Sequence, residues 1–340
     1  MVIPVNLGEH SYDIIVERGC LKRAAEHLRL DRKVLVVTDS GVPMEYAECI
    51  ANLCKEPYRM IVPMGEGSKS LQTYGALLEL MLNSGFTRGD CVVAVGGGVV
   101  GDLAGFAAAS YMRGIDFYNV PATMLSQIDS SIGGKTAINF MGVKNIVGAF
   151  YQPKKVLIDP EVLSTLPPRQ LSNGLAEAVK MAITSDSGLF ELFEGGEAEK
   201  RIDEIIVSCL NIKKNIVEKD EKESGLRRML NFGHTIGHGI ESAASGRLYH
   251  GECVALGMLP MCGKELLPRV KAVLAALNLP TECSVNTESA LDAISHDKKF
   301  GGDTVTVVRA DEAGKGYFEK ISGSELKRIA EAFIEEGGIQ

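Results

Sequence analysis

A glycine-rich turn between an apolar strand and a helix constrains the fold more than any other feature of this 340-residue chain. The apolar run CVVAV leads into Gly96, Gly97 and Gly98, and Gly101 follows two valines later, which matches the pattern G-x-G-x-x-G. Glycines at such a turn let the backbone approach a pyrophosphate, and the free N–H groups of the helix start receive its charge. The turn therefore favours a nucleotide site on an α/β domain, although a tight turn without a ligand can have the same residues.

The pattern around this turn predicts a parallel sheet. Residues 2–17 alternate like a small hairpin, and the apolar runs at 33–39 and 58–63 are typical of buried strands. Residues 71–86 have helical spacing, and strands that alternate with helices argue for an open parallel sheet. At least two strands precede the glycine turn, whereas in a standard Rossmann domain the turn follows the first strand.

From about residue 150 the pattern becomes helical. A Pro-rich segment at 152–170 looks like a crossing connection, and several long helical patterns follow it. We therefore predict an α/β plus all-α chain, with a Rossmann-like parallel-sheet domain over residues 1–155 and a helical domain over residues 156–340.

Charge and cysteine content exclude several classes of protein. The net charge of −8 gives no broad basic field for nucleic acid or an anionic membrane. The eight cysteines include no Cys-x-x-Cys pair, which is typical of reduced thiols in the cytoplasm. The first residues lack the pattern of a signal peptide, and no apolar run is long enough to span a bilayer. We expect a cytoplasmic protein without a nucleic-acid or membrane partner.

Three of the six histidines lie within 17 positions, which raises the possibility of a metal site. His234 and His238 are four residues apart, on one face of a predicted helix, and His250 precedes another helical pattern. Thr235 stands where the zincin motif His-Glu-x-x-His requires glutamate, which argues against metalloprotease chemistry. Spacing alone favours His234 and His238 with one carboxylate, for which three residues are candidates: Glu177, Glu241 and Glu252. The alternative is a helix with two polar-face histidines.

Positive side chains crowd the same stretches, although each alone is typical of a solvated surface. Residues 133–136, Gly-Gly-Lys-Thr, resemble the end of a P-loop, but Asp129 stands where its first glycine should be, which argues against a Walker-type ATPase. This stretch still favours an anion site made of backbone N–H groups and an ammonium group. The other cations are Arg113, Lys144, Lys180, Lys213 and Arg227.

Five stretches together resemble the 3-dehydroquinate synthase family of the sugar phosphate cyclases, in the expected order over roughly residues 30–300. They are residues 96–117, 120–139, 142–180, 223–241 and 249–258. The resemblance implies an NAD-binding Rossmann-like domain, a helical metal- and substrate-binding domain, a Zn²⁺ or Co²⁺ ion and a homodimer. It also implies conversion of 3-deoxy-D-arabino-heptulosonate 7-phosphate to 3-dehydroquinate and phosphate, through transient oxidation by NAD, β-elimination, re-reduction and aldol closure.

The resemblance implies a ligand set that spacing does not predict. The metal ligands match Glu177, His234 and His250, and His238 becomes a residue on the substrate side, near the leaving phosphate. The other matched catalytic residues are Asp129, Lys135 and Lys180. The matched NAD contacts are Asp39, Glu66, Lys69, Gly97, Gly98, Asp102, Thr123 and Lys144. The matched substrate contacts are Arg113, Asn145, Lys213, Arg227, Asn231 and one of Lys298 and Lys299, of which we choose Lys299. Arg113 is expected to reach across a dimer interface.

Three departures from the family pattern accompany three rival functions. Ala122, where the family usually has threonine, changes one expected NAD contact, and Gly41 stands where asparagine is common. After residue 267 the chain has fewer residues than the usual helix pair, which should spare the site. The rivals are another sugar phosphate cyclase, a metal-dependent alcohol or glycerol-phosphate dehydrogenase, and a non-catalytic NAD-binding protein. Dehydroquinate chemistry is favoured by four residues suited to a carboxylate-bearing substrate: His238, Asn231, Arg227 and Lys213.

Overall fold

A computed structural model of the chain describes residues 1–295 and 304–337. The chain divides into two compact units. Unit 1 contains residues 1–167 and 213–221, and unit 2 contains residues 168–212 and the chain from 222 onward. No helix in the described ranges is both long and apolar enough to cross a membrane.

Unit 1 is built on a seven-stranded sheet flanked by helices. Its strands are β1 (Val2–Val5), β2 (Tyr12–Val16), β3 (Lys33–Asp39), β4 (Glu56–Val62), β5 (Cys91–Gly96), β6 (Asp116–Pro121) and β9 (Lys155–Ile158), and a separate hairpin comprises β7 (Lys135–Phe140) and β8 (Val143–Phe150). Its helices are α1 (Met44–Leu53), α2 (Leu71–Asn83) and α3 (Gly98–Ser110).

The strand order in the sheet is β1-β2-β9-β6-β5-β3-β4. All neighbouring pairs are parallel except β1 with β2, which form the predicted N-terminal hairpin. Strands β3 and β5 are almost wholly buried because apolar side chains cover both faces of the sheet. The predicted parallel-sheet domain is confirmed.

The segment that was expected to cross between domains contains a strand of this sheet. Residues KVLI form β9, which pairs with β2 and β6, and three of its four residues are buried. The boundary expected between residues 155 and 156 therefore falls inside unit 1. A four-residue apolar run between prolines gives too little pattern to distinguish a short buried strand from a connection.

Unit 2 is mostly helical. Its helices are α4 (Pro168–Ser185), α5 (Ser187–Glu194), α6 (Ile202–Lys219), whose last turns belong to unit 1, α7 (His234–Ala244), α8 (His250–Met258), α9 (Leu266–Ala276), α10 (Thr287–Ser295) and α11 (Gly323–Gly337). The last third of the chain was expected to hold several more helices, and it also contains an antiparallel hairpin of β10 (Thr304–Ala310) and β11 (Gly316–Ser322). The pattern did not predict this hairpin.

Helices α7 and α8 approach closely because glycine occupies the contact. A Cβ atom on Gly257 would lie 2.1 Å from the carbonyl oxygen of Gly233 and 2.6 Å from the amide nitrogen of Gly237. Both neighbours are backbone atoms, so a small shift of a side chain cannot make room. The contact fixes the start of α7 against the last turn of α8.

We expect Gly257→Ala to destabilise unit 2 by about 1–3 kcal/mol, since the added methyl group must push two helices apart. The matched control is Gly75→Ala in α2, where nothing lies within 4 Å of the added Cβ. There the same change should stabilise the folded protein by about 0.5–1 kcal/mol. Thermal unfolding followed by circular dichroism measures both, and a Gly257→Ala midpoint as high as that of the wild type would contradict this account of the contact.

Candidate active site

A buried ion pair on α4 lies at the centre of unit 2. Glu177 and Lys180 are one helical turn apart, both side chains are 1% exposed, and the Lys180 ammonium donates to Glu177 Oε2. Residues 173–184 of α4 are all buried, so the helix brings both charges into the interior. A buried carboxylate must be paired or hydrogen-bonded, and Lys180 meets this need for one of its two oxygens.

The other carboxylate oxygen faces two imidazoles. Glu177 Oε1 is buried without a hydrogen-bond partner in the described chain, and it lies 3.6 Å from Nε2 of His234 and 3.6 Å from Nε2 of His250. These separations exceed a hydrogen bond. They are close to the separation of about 3.3 Å that two ligands of one tetrahedral zinc ion would have. The donor set therefore fits a divalent metal ion.

Both histidines begin helices, and their second ring nitrogens have fixed partners. His234 is the first residue of α7, after Gly233 in the left-handed region, and its Nδ1 lies 3.1 Å from the carbonyl oxygen of Phe232. His250 is the first residue of α8, and its Nδ1 lies 3.0 Å from Glu241 Oε2. Such partners orient a metal-binding imidazole and leave Nε2 for the metal.

The geometry also permits a second ligand set. His234, His238 and His250 have ring nitrogens within 4.8 Å of one another and could hold a metal ion without Glu177. His238 is exposed, and its ring centroid lies 5.3 Å from that of His234 and 5.7 Å from that of His250. Of the three carboxylates that spacing left open, only Glu177 faces both Nε2 atoms, because Glu241 contacts the opposite side of His250 and Glu252 binds Arg169.

The charges in this cluster shift one another's pKa values. Burial raises the pKa of Glu177, but the opposing effects of Lys180 and His250 are larger in sum and lower it to about 2. Burial lowers the pKa of His250, but Glu177 and Glu241 together outweigh burial and raise it to about 9. The Glu177 carboxylate is therefore ionised, and it lies between Lys180 and His250.

Two further predicted substrate residues lie in unit 2. Arg227 is 2% exposed, which is unusual for arginine, and Asn231 donates from Nδ2 to Glu223 Oε1 at 2.7 Å. Both belong to the short helical segment Leu226–Asn231 that precedes α7. Lys299, like Lys298, lies outside the described residues.

In unit 1, the glycine turn lies between β5 and α3, as predicted. The N-cap of α3 is Gly97, which supplies no side-chain hydrogen bond to the first N–H groups of the helix. A Cβ atom on Gly97 would lie 3.3 Å from Thr123, and one on Gly98 would lie 2.9 Å from Ser130 Oγ. That hydroxyl is buried without a partner in the described chain. The helix start and this hydroxyl fit a nucleotide phosphate.

Four predicted residues of unit 1 form one polar cluster around a buried ammonium. Lys69 is 4% exposed, and its Nζ lies 2.7 Å from Asp102 and 3.4 Å from Glu66 and donates to Asn145 Oδ1. Asn139, which sequence analysis missed, connects the cluster by donating to Glu66 at 2.9 Å and accepting from the amide of Asn145 at 2.9 Å. Asn145 adopts a left-handed backbone conformation, with φ of 54°.

The remaining predicted residues of unit 1 have separate environments. Asp129 accepts from the Lys213 ammonium through both its carboxylate and its carbonyl oxygen, the latter at 2.6 Å. Asp39 is buried at the end of β3 and accepts from the amide of Gly41 at 2.8 Å. Arg113 is exposed in a left-handed turn. Lys135 and Lys144 are both exposed, on β7 and β8 of the hairpin.

Comparison with known proteins places the chain in a family. Sequence models described as 3-dehydroquinate synthase N-terminal and C-terminal match residues 59–173 and 174–300. The 3-dehydroquinate synthase of Streptococcus thermophilus is 40% identical over 354 residues, which cover 97% of this chain and 100% of the relative. The 3-dehydroquinate synthase of Enterococcus faecalis is 40% identical over 362 residues, which cover 100% of this chain and 100% of the relative. The chain belongs to the 3-dehydroquinate synthase family.

Solved structures of other sugar phosphate cyclases resemble this member of the 3-dehydroquinate synthase family. A 2-deoxy-scyllo-inosose synthase complexed with carbaglucose-6-phosphate, NAD⁺ and Co²⁺ is 27% identical, with a TM-score of 0.87 over 98% of this chain and 100% of that one. The 2-epi-5-epi-valiolone synthase of Streptomyces hygroscopicus, with NAD⁺ and Zn²⁺ bound, is 28% identical, with a TM-score of 0.87 over 97% and 99%. Glycerol dehydrogenase of Schizosaccharomyces pombe, at 17% identity and a TM-score of 0.64 over 95% and 89%, shares the fold alone.

Two substitutions distinguish the possible ligand sets. If the ligands are Glu177, His234 and His250, we expect Glu177→Gln to weaken zinc binding by at least about 100-fold, and His238→Asn to leave it almost unchanged. Competition with a chromogenic chelator measures both dissociation constants, and circular dichroism verifies that both variants fold. The reverse order of effects would identify the three histidines as the ligands.

The polar cluster of unit 1 yields a pH prediction. Burial raises the pKa of Asp102 to about 6, although Lys69 opposes the shift. Because the folded-state pKa lies above the ordinary value, ionisation of Asp102 destabilises the fold as pH rises from about 4 to 6. In ¹³C-aspartate NMR, the carboxyl signal that is missing in Asp102→Asn should titrate with a midpoint near 6, and Lys69→Met should move the midpoint higher. A midpoint near 4, unchanged by Lys69→Met, would refute the assignment.

Proposed function

We propose that the protein is a 3-dehydroquinate synthase, which converts 3-deoxy-D-arabino-heptulosonate 7-phosphate to 3-dehydroquinate and phosphate. The observation that carries the proposal is 40% identity over the full length to proteins of that name. Support from the structure comes from the Glu177–His234–His250 cluster in unit 2 and the uncapped start of α3 in unit 1. The reaction needs both a metal ion and NAD.

Glu177, His234 and His250 are our proposed metal ligands, and the start of α3 with Ser130 is our proposed site for the NAD phosphates. When bound, the metal supplies Lewis acidity to a substrate hydroxyl, and NAD supplies a reversible hydride acceptor. The remaining proposed NAD contacts are Asp39, Glu66, Lys69, Gly97, Gly98, Asp102, Thr123 and Lys144. Lys69 also holds Asp102 and Asn145 in place.

Buried cations suit a substrate with both a carboxylate and a phosphate. Lys180, Lys213 and Arg227 are 1%, 5% and 2% exposed. Lys180 pairs with Glu177 and Lys213 with Asp129, and because an ammonium has three donors, both can also contact a substrate oxygen. We assign these three residues, with Asn231 and Lys299, to the substrate hydroxyls and carboxylate. The phosphate contacts in this proposal are Arg113, Lys135 and Asn145. Local cations of this kind allow a protein of net charge −8 to bind an anion.

Proton transfer near the leaving phosphate is assigned to His238, and two further residues hold the groups around it. His238 is exposed beside the other two imidazoles, and an imidazole that is not a ligand can accept or donate a proton near the leaving phosphate. Asp129, whose carboxylate is held by Lys213, is placed between nicotinamide and substrate in this proposal. Lys180 holds the proposed metal ligand Glu177 through Oε2 and keeps that carboxylate ionised.

The alternative function is that of another sugar phosphate cyclase, since two such enzymes share the fold at 27% and 28% identity. The higher identity to 3-dehydroquinate synthases favours the substrate with a carboxylate. Arg227 is buried and lies four residues before Asn231 in the sequence. It is a suitable carboxylate partner because its planar guanidinium group can bind both oxygens.

We expect zinc-loaded protein with a trace of NAD to release phosphate and 3-dehydroquinate in equal amounts from heptulosonate 7-phosphate, with many turnovers per NAD and no lasting NADH. A coupled assay measures the released phosphate, and the nicotinamide absorbance measures any NADH that remains. Arg227→Gln should lower kcat/KM by at least about 100-fold, because a buried charge-assisted contact is lost. Phosphate release only from a sugar phosphate without a carboxylate would identify a different cyclase, and accumulation of NADH with an alcohol would identify a dehydrogenase.

We also propose that the protein is a cytoplasmic homodimer. Its eight cysteines are free thiols, which suits a reducing compartment. The β7–β8 hairpin exposes large apolar side chains, which mark association surfaces when they are contiguous. They are Phe140, Met141, Val143, Ile146 and Phe150, at 43–86% exposure. A second copy of this chain is the proposed partner for the hairpin.

We expect Ile146→Lys to shift the protein from dimer to monomer in sedimentation velocity, since a charge in an apolar interface core is left without a partner. The matched control is Leu82→Lys, which changes an apolar residue of α2 that is 68% exposed. The control should remain dimeric. Equal sedimentation of both variants and the wild type would exclude the hairpin as the interface.

A further inference from the structure

Helix α4 contacts the start of α8 at three successive levels. Arg169 binds Glu252, Asn173 binds the amide of Gly251, and Glu177 faces His250. The α4 residues are four apart, so they lie on one face of the helix, while their partners on α8 are consecutive. We call the first two of these contacts, Arg169–Glu252 and Asn173–Gly251, the α4–α8 ladder.

The first contact of the ladder holds the chain that leads into α8. Arg169 donates from Nε and Nη2 to the two oxygens of Glu252, at 2.6 and 2.8 Å, and from Nη2 to the carbonyl oxygen of Arg247 at 2.8 Å. Its guanidinium lies 4.4 Å from the ring centroid of Tyr249. Glu252 also accepts from the amide of Tyr249 at 2.8 Å, so the residue directly before His250 is held from two sides.

The second contact holds the residue directly after His250. Asn173 is 8% exposed, and its Oδ1 accepts from the amide of Gly251 at 2.6 Å. A Cβ atom on Gly251 would lie 1.9 Å from the carbonyl oxygen of Asn173, so the two backbones are in direct contact. The α8 chain therefore has little freedom to slide along α4 at this point.

We propose that Arg169 and Asn173 are positioning residues for His250, and this inference rests on the proposed function. Glu241 fixes the ring through Nδ1, but the ring needs a fixed backbone if its Nε2 is to stay 3.6 Å from Glu177 Oε1. The His250 side chain is 35% exposed, so its surroundings alone do not confine it. The ladder supplies this confinement from the same helix that carries Glu177.

The test compares two arginines of the same unit with the same chemistry. Arg269 also binds a carboxylate with two nitrogens, at 2.7 Å each to Glu194, and its guanidinium lies 5.3 Å from the Phe190 ring centroid. The side chains of Arg169 and Arg269 are 52% and 47% exposed. Arg269→Gln therefore removes an equivalent ion pair and aromatic contact, but none that reaches a metal ligand.

In the full chain, we expect Arg169→Gln to weaken zinc binding about tenfold in chelator competition, and Arg269→Gln to change it less than about twofold. The visible spectrum of Co²⁺-loaded protein reports ligand geometry and should change only in Arg169→Gln. Thermal unfolding without added metal should show similar small decreases in the unfolding midpoint for Arg169→Gln and Arg269→Gln. Equal zinc affinities and equal cobalt spectra for the two variants would overturn the proposal.

The second contact is tested by a pair of changes at one position. Asn173→Ala removes the acceptor for the Gly251 amide and should weaken zinc binding about tenfold. Asn173→Asp retains an acceptor oxygen and should restore most of the affinity and the cobalt spectrum. Failure of Asn173→Asp to bind better than Asn173→Ala would overturn the role of Asn173. A wild-type protein that binds neither zinc nor cobalt would overturn the metal-dependent function itself, and the ladder with it.

Discussion

The ion pair between Glu177 and Lys180 is the interaction on which the organisation of unit 2 depends. Removing two charges from water costs several kcal/mol per ion, and close pairing offsets this cost only for the groups that are paired. Lys180 satisfies Oε2, so Oε1 needs a second polar partner, and His234 and His250 face it from the starts of two other helices. The glycine contacts between α7 and α8 and at Gly251 bring those helix starts close enough.

In unit 1, the buried ammonium group of Lys69 organises a second polar cluster. Lys69 is almost fully buried and gathers Asp102, Glu66 and Asn145, which come from three separate elements of the chain. The start of α3 has no side-chain cap, and the nearby Ser130 hydroxyl has no hydrogen-bond partner among the described residues. Within residues 1–295 and 304–337, each unit therefore has a buried side-chain oxygen, Ser130 Oγ in one and Glu177 Oε1 in the other, that can contact a ligand.

The sequence predicts the sheet well and the site only in part. Long apolar strands such as β3 and β5 and the glycine turn have patterns that few other structures share, whereas β9 is too short to be distinctive. Strand β10 begins with the alternating residues Thr-Val-Thr-Val, a strand signal that the helical interpretation of this region overlooked. Helical spacing favoured His234 with His238 and left the carboxylate open, because Glu177 lies far away in sequence. Ser130 and Asn139 gave no signal, since a single serine or asparagine is typical of any surface turn, and only the fold reveals what lies beside each.

The three proposed metal ligands differ in exposure, and this sets the direction from which an ion can reach them. The Glu177 side chain is 1% exposed and that of His234 is 11% exposed, whereas that of His250 is 35% exposed. His238 is also exposed, and its ring centroid lies 5.7 Å from that of His250. A metal ion, or a chelator that removes one, therefore approaches the cluster past the rings of His250 and His238 and not past Glu177.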